Sequence, residues 1–253
     1  MIKPFGDRAG PFVIGHRGAA GYAPENTMAA FERGISLRAD AVELDINLSK
    51  DGELMVIHDP TLDRTTSGSG LVCQHTAAEI GRLDAGSWFD PSFGDCRVPT
   101  LREVLTWAKG RTKVVIEIKN GPIFYPNIER ILLALLDEVG MRGDVMAISF
   151  DHLVLRDLKA LAPDVATGVI YASRMVDPVA MARAVHADLM MPYWALLTRE
   201  EVDMAHAADL FMSPWGGPEQ DYKHILALGV DAVGADFPDR PRAAMEQEAA
   251  SDT

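Results

Sequence analysis

His16, in Ile14-Gly15-His16-Arg17-Gly18, and His58, in Val56-Ile57-His58-Asp59-Pro60, each follow a short β-like apolar run. Between them stand Glu43 and Asp45, two residues apart, so that a strand would point both carboxylates to one side. Glu117 and Lys119 repeat the spacing in Val115-Ile116-Glu117-Ile118-Lys119. An imidazole pair beside a small acidic cluster can move protons at an oxygen while a divalent cation holds an anion.

Neighbouring carboxylates raise each other's pKa unless something positive sits between them. Glu43, Asp45 and Glu117 form an all-oxygen donor set without a nearby cysteine, which favours one hard cation, Mg²⁺ or Ca²⁺, over zinc. His16 and His58 suit a general acid/base pair, because imidazoles titrate near neutrality, but the sequence does not say which is acid and which is base. Arg17 has the fork to bind phosphate oxygens and could equally pair with Glu25. Lys119 either meets a phosphate oxygen or neutralises Glu117. Asp59 either orients a histidine or braces the following turn.

Positioning these groups requires strands, and the chain supplies them. Apolar or β-branched runs at 12–15, 41–48, 53–58, 114–118, 145–150, 166–171, 189–192, 210–213 and 232–235 read as buried, mostly parallel strands. Helical patterns fill the gaps. Met28, Phe31 and Ile35 share a face, Thr100-Leu101-Arg102-Glu103 is a capping box, 127–139 is amphipathic and stops at Gly140, and Asp177-Pro178 is a cap followed by a helix-starting proline. Thr198-Arg199-Glu200-Glu201 repeats the capping-box spacing. Strand ends near Phe150, Tyr171, Tyr193, Pro214 and Asp236 recur every 21 or 22 residues, the length of a strand–helix unit. With 41–58 taken as a strand and its hairpin return, about eight units result, which predicts a (β/α)₈ TIM barrel rather than an open doubly wound sheet. Residues 59–99, rich in Gly, Ser, Thr and Asp, break the rhythm and read as a small inserted subdomain after the second barrel strand. One domain over 10–245 accounts for the pattern.

The chain has 253 residues, 48% of them hydrophobic, which is ample for a sizeable core. Its 24 basic and 37 acidic residues give a net charge of −13, which argues against a nucleic-acid partner and requires any anionic substrate to be met by a local positive site. No apolar run reaches membrane-spanning length, and Met1–Arg8 holds no signal-like stretch, so the expectation is a cytoplasmic protein without stable membrane insertion. Cys73 and Cys96 match neither a disulfide framework nor a zinc motif and read as reduced, structural thiols. Homodimerisation is the ordinary prior for such an enzyme, although no heptad or localised apolar face marks an interface.

The ordered series His16-Arg17-Gly18, Pro24-Glu25-Asn26-Thr27, Glu43-Leu44-Asp45, Asp51-Gly52-Glu53, His58-Asp59, Pro99-Thr100-Leu101 and Glu117-Ile118-Lys119 closely resembles the glycerophosphodiester phosphodiesterase family. Ser149-Phe150-Asp151 and Ala235-Asp236-Phe237-Pro238 add weaker support. The resemblance implies a TIM barrel with an insertion after the second strand. It implies His16 and His58 as the acid/base pair, Glu43, Asp45 and Glu117 as cation ligands, and Arg17 and Lys119 as phosphate contacts. The implied substrate is a small glycerophosphodiester, cleaved to an alcohol and sn-glycerol 3-phosphate. Because the glycerol hydroxyl beside the phosphoester is already tethered, its attack on phosphorus would give a cyclic phosphate that water then opens.

On the seventh strand the family often ends in a Trp-Thr-Val-Asn-like run, where this chain has Phe211-Met212-Ser213-Pro214-Trp215-Gly216-Gly217. Trp215 stays a candidate for the substrate pocket, while the missing asparagine unsettles the alcohol-side contacts. Phe150, Tyr171, Tyr193 and Trp194 are further candidates by their strand-end positions, with core packing as the other reading. A lysophospholipid phosphodiesterase is the nearest rival and needs a longer apolar groove. A noncatalytic phosphate-binding barrel would leave the histidines and carboxylates without work, and Glu117 beside Lys119 disfavours a Schiff-base aldolase.

Overall fold

The computed structural model describes residues 10–216 and 221–251. The Met1–Arg8 segment and Gly217 lie outside the described residues. In chain order the strands are β1 (Phe12–Gly15), β2 (Ala41–Leu48), β3 (Leu54–Val56), β4 (Lys113–Ile118), β5 (Val145–Ser149), β6 (Ala166–Tyr171), β7 (Leu189–Pro192), β8 (Phe211–Met212) and β9 (Ala232–Ala235). The helices are α1 (Met28–Ser36), α2 (Ala77–Ile80), α3 (Leu101–Ala108), α4 (Ile128–Val139), α5 (His152–Leu161), α6 (Pro178–Ala184), α7 (Arg199–Ala207), α8 (Tyr222–Ala227) and α9 (Asp239–Ser251).

Eight parallel strands in the order β8-β7-β6-β5-β4-β2-β1-β9 curve into a nearly closed barrel with helices outside, and β3 pairs antiparallel with β2 as the hairpin return. At the remaining seam the Asp231 N–H donates to the Met212 carbonyl at 2.8 Å, and the Met212 N–H donates to Asp231 Oδ2 at 2.7 Å. The (β/α)₈ expectation therefore holds.

Strand alternation divides the apolar residues between two layers. Val13, Val42, Leu44, Ile46, Val114 and Ile116 pack outward against the helices. Ile14, Ala41, Val115, Ile148, Ile170 and Met191 fill the barrel interior. Moving up the inward positions, apolar residues give way to chemistry: Ala41 to Glu43 and Asp45, Val115 to Glu117, and Ile14 to His16. That gradient places polar groups at the carboxyl ends of the strands, the mouth of a TIM barrel.

The helix caps follow from sequence with one exception. Thr100 and Glu103 form the reciprocal capping box, and Gly140 ends α4 in the left-handed region at φ 71°. Thr198 caps α7 through the Glu201 N–H, but the Glu201 carboxylate does not return the bond. It accepts from the Tyr171 hydroxyl at 2.6 Å instead, so that capping box is only half made. Residues 59–99 carry only short helical turns, and Met55, Ile57, Leu62, Val72, Ile80, Ala85 and Val98 form an apolar cluster separate from the barrel's. Among the described residues, no helix is long and apolar enough to cross a membrane.

Candidate active site

Parallel pairing of β2 with β4 sets Asp45 beside Glu117 in register, with Glu43 one inward position below. All three carboxyls are buried, at 6, 1 and 9% exposure for Glu43, Asp45 and Glu117, and one oxygen from each lies within 4.8 Å of the others. Buried acids so close need counter-charge. Lys119 Nζ lies 2.5 Å from Glu117 Oε1 and 3.0 Å from Asp45 Oδ1, and Arg17 Nε is 3.3 Å from Asp45 Oδ2. Asp45 Oδ1 nonetheless makes no well-formed hydrogen bond.

The electrostatics divide the triad. Burial, with Asp45 and Glu117 beside it, pushes Glu43 up to about 7 against the pull of His16 and Arg17. Burial also opposes ionisation of Asp45, but Lys119, Arg17, His58 and the Asn26 hydrogen bond together hold it well below the usual carboxylate range. Burial and Asp45 raise Glu117 despite Lys119. A hard cation fits this donor set: it would supply the positive charge that Glu43 lacks and a partner for Asp45 Oδ1.

The His16-Arg17-Gly18 turn needs its glycine. Arg17 stands at φ 50° and Gly18 at φ 88°, and a Cβ on Gly18 would lie 2.5 Å from the Ala30 backbone carbon. The turn directs the Arg17 N–H onto Glu43 Oε2 at 2.8 Å, while its guanidinium donates to Glu25 Oε1 at 2.8 Å. Arg17 thus pairs with Glu25 as well as with Asp45. Asn26 locks the turn to β2, donating to Asp45 Oδ2 at 2.8 Å and accepting the Asp45 N–H at 3.2 Å.

Each histidine has a carboxylate behind it. His16 Nδ1 donates to Asp236 Oδ1 at 2.6 Å, and His58 Nδ1 donates to Asp59 Oδ1 at 2.6 Å. That arrangement fixes the neutral tautomer and leaves Nε2 of both rings available. Their environments push them apart. Burial lowers His16, but the Asp236 bond and the Glu43 charge outweigh it and the result is raised. Burial lowers His58, and with Lys119 and Arg17 it overcomes Asp45 and Asp59.

Sequence reasoning missed four contributors. Asp236 has the inward parity of Ala232 and Gly234 and the register that pairs Ile14 with Gly234, so that pairing was the available signal. Asn47 Nδ2 donates to the Ile57 carbonyl at 2.8 Å and to those of His58 and Asp59 at 3.3 Å, holding the loop that carries His58. Ser213 Oγ, buried in the cavity wall, has no protein hydrogen-bond partner among the described residues. Arg64 reaches from the insertion, its Nε donating to Asp59 Oδ2 at 2.7 Å and its two terminal nitrogens to Glu25 at 2.8 Å. Asp59 therefore both faces its histidine and anchors the following segment, and the Arg64 fork is the main reason it sits at about 2.

Arg64 links the partners of His58 and Arg17, so Arg64→Ala is expected to lower kcat about 10- to 100-fold, the usual effect of losing a residue that orients a catalytic group. Arg64→Lys should recover only part of that loss because lysine lacks the fork. Steady-state kinetics beside thermal unfolding checks this, and a kcat within twofold of the parent in Arg64→Ala would refute it.

His16, Arg17, Glu43, His58, Glu117 and Lys119 line one cavity of about 370 Å³. Its opposite wall includes Ile148, Phe150, Ile170, Met191 and Trp215. Trp215 and Phe150 make a T-shaped contact with their ring centroids 5.1 Å apart, and the Trp215 indole N–H donates to the Tyr171 carbonyl at 3.0 Å. Tyr193 packs on Trp215 outside the cavity lining, Tyr171 is turned into the core, and Trp194 also packs against the core. Cys73 and Cys96 are free and half-buried.

The fold is a TIM barrel with its polar groups at the mouth, and the family it matches makes it an enzyme of the phosphoric diester hydrolase class. The sequence pattern of the glycerophosphoryl diester phosphodiesterase family matches residues 16–240, and the chain belongs to that family. A glycerophosphodiester phosphodiesterase of Caldanaerobacter subterraneus subsp. tengcongensis is 40% identical over 229 residues, covering 90% of this chain and 94% of the relative. The crystal structure of a glycerophosphodiester phosphodiesterase from Agrobacterium tumefaciens superposes with a TM-score of 0.81 at 33% identity, covering 92% of this chain and 99% of the other. A phosphodiesterase from Oleispira antarctica, in complex with the product sn-glycerol-3-phosphate, superposes with a TM-score of 0.84 at 27% identity, covering 93% of this chain and 97% of the other.

Proposed function

We propose that the protein hydrolyses small glycerophosphodiesters to an alcohol and sn-glycerol 3-phosphate, with His16 as general acid and His58 as general base. The observation that carries this reading is a three-carboxylate cluster flanked by two carboxylate-backed imidazoles at one cavity. Glu43, Asp45 and Glu117 would hold one divalent cation, Mg²⁺ or Ca²⁺, which when bound polarises phosphate and hydroxyl oxygens.

Arg17 and Lys119, which line the same cavity, would contact the phosphate, their positive charges favouring the extra negative charge of a pentacoordinate transition state. His58, held neutral by its surroundings, accepts the proton of the glycerol 2-hydroxyl at Nε2. That oxygen attacks phosphorus from within the same molecule, which gives a high effective concentration. His16, kept protonated by Asp236, donates from Nε2 to the departing alcohol oxygen. A cyclic phosphate results, and the histidines exchange roles as water opens it. Trp215 walls the apolar side of the pocket. Residues 10–245 form the domain that does this, and the separate apolar cluster of 59–99 supports reading that segment as an insertion.

With glycerophosphocholine and added Mg²⁺ or Ca²⁺, choline and sn-glycerol 3-phosphate are expected in equal amounts, measured by coupled assay or mass spectrometry. Binding of the diester without its turnover under both metals would favour a noncatalytic barrel instead.

A further inference from the structure

The catalytic cavity has a deep end that the acid/base and cation residues leave unused. Strand parity turns Phe211, Ser213 and Trp215 inward at β8, with Met212 packed outward among the helices. Ser213 is 1% exposed and lines the cavity, and its Oγ has no protein partner. An unpaired buried hydroxyl is costly, so one on an inward strand position at a cavity marks a place that a bound group completes. Asp45 Oδ1, the other unpartnered oxygen at this site, is accounted for by the cation cluster, and Ser213 Oγ is not.

Gly234 supplies the room. It stands on β9, paired with Ile14 of β1 and two residues below Asp236, and a Cβ there would meet nothing within 4 Å. Although it belongs to a barrel strand, this position is exposed, and it lines the cavity. The ends of β8 and β9 adjoin at the Asp231–Met212 seam, so the gap at the glycine and the hydroxyl of the serine share one recess. Ile148, Ile170 and Met191 supply aliphatic wall across from them. His16, one inward position above Ile14 and bonded to Asp236, stands over the gap.

We propose that this recess receives the departing alcohol and selects a small neutral polyol, glycerol above all, with Ser213 as the residue that sets the preference. The inference rests on the hydrolase reading above, in which His16 protonates the departing oxygen, and deepens it by naming the leaving group. An alcohol whose oxygen meets His16 extends toward the gap at Gly234. There a polyol hydroxyl pairs with Ser213 Oγ, which can both donate and accept. The trimethylammonium of choline has no hydrogen bond to give it. The ammonium of ethanolamine would lie among aliphatic side chains beside a protonated imidazole. The cavity's carboxylates offer it no counter-charge, because Glu43 and Glu117 belong to the cation cluster and Asp236 is spent on His16.

The preferred substrate is then glycerophosphoglycerol. Its 2-hydroxyl gives a proton to His58 and its oxygen bonds to phosphorus as the P–O bond to the second glycerol breaks. That glycerol leaves with the proton from His16, and water opens the cyclic phosphate to sn-glycerol 3-phosphate.

The test measures kcat/KM of the full chain, with added Mg²⁺ or Ca²⁺, on glycerophosphodiesters of glycerol, 1-propanol, ethanolamine and choline. The propanol ester keeps the carbon chain and neutrality of glycerol and lacks its two free hydroxyls. The wild type is expected to favour the glycerol ester at least tenfold over each of the others, because a site built around a hydroxyl rejects the analogue without one. In Ser213→Ala the glycerol-to-propanol ratio should fall at least fivefold, with no drop in unfolding temperature, since the lost hydroxyl bonds no protein group. Gly234→Val, which fills the gap, should cost the glycerol ester at least tenfold. A glycerol ester no better than the propanol or choline ester overturns the inference alone. So does a Ser213→Ala variant that keeps the wild-type ratio, including one that loses equally on all four esters and so places the serine at their shared glycerol. Parental activity of Gly234→Val on the glycerol ester overturns it as well. No turnover of any of the four by the wild type overturns the hydrolase reading, and this one with it.

Discussion

Alanine at His58 or His16 is expected to reduce kcat on glycerophosphocholine by about 10²- to 10⁴-fold, the range that positioned acid–base catalysis contributes. Thermal unfolding should change little, because both rings face the mouth and neither fills the core: their side chains are 31 and 42% exposed. The pH profile separates their roles. His58 works deprotonated and is lowered from 6.5, so the acidic limb should have its midpoint below that value. His16 works protonated and is raised from 6.5, so activity should decline only at higher pH. The Asp236 hydrogen bond that raises His16 does not depend on a cation, whereas the Glu43 contribution would shrink once a cation neutralised that carboxylate. Asp236→Asn should therefore move the basic limb to lower pH while leaving the acidic limb in place. Near-normal kcat in both alanine variants would remove the histidines from the mechanism.

Parts of this site that depend only on strand parity were legible in the sequence. Glu43 with Asp45, and Glu117 with Lys119, share a face because alternation is local, and their nearest-neighbour register needs only that β2 and β4 pair. Asp236 lies 220 residues from His16 and becomes its partner only when β9 closes against β1. Arg64 was harder, since its segment has no periodicity and its fork is aimed by the packing of the insertion. Aromatic strand ends were ambiguous for a related reason. Phe150 continues the inward parity of Met146 and Ile148 and reaches the cavity, whereas Tyr171 has the outward parity of Val169 and packs beneath α7. The strand–helix rhythm showed the barrel because each unit buries its own apolar stripe, but it did not show that Glu201 would leave its capping box for the Tyr171 hydroxyl.

Removing divalent cations should reduce turnover about a thousandfold or more, given several kcal/mol of charge stabilisation by a bound ion and a tenfold rate change per 1.36 kcal/mol. Adding back Mg²⁺ or Ca²⁺ should restore it. Stability offers a second readout that does not rely on catalysis. Glu43 is raised from 4.5 to about 7 in the metal-free protein, so the folded state favours its protonated form. The corresponding stability is fully present below about pH 4.5 and is lost as pH rises through about 7. A cation competes with that proton and supplies the charge the carboxylates lack, so its stabilising effect must grow over the same interval. Thermal unfolding with and without Mg²⁺ or Ca²⁺ should thus show a larger gain at about pH 8 than at about pH 5.5. Full activity in rigorously metal-free protein would contradict the cation reading of the triad, and an ion-induced gain no larger at the higher pH would contradict the assignment of Glu43 as the carboxylate that ion binding deprotonates.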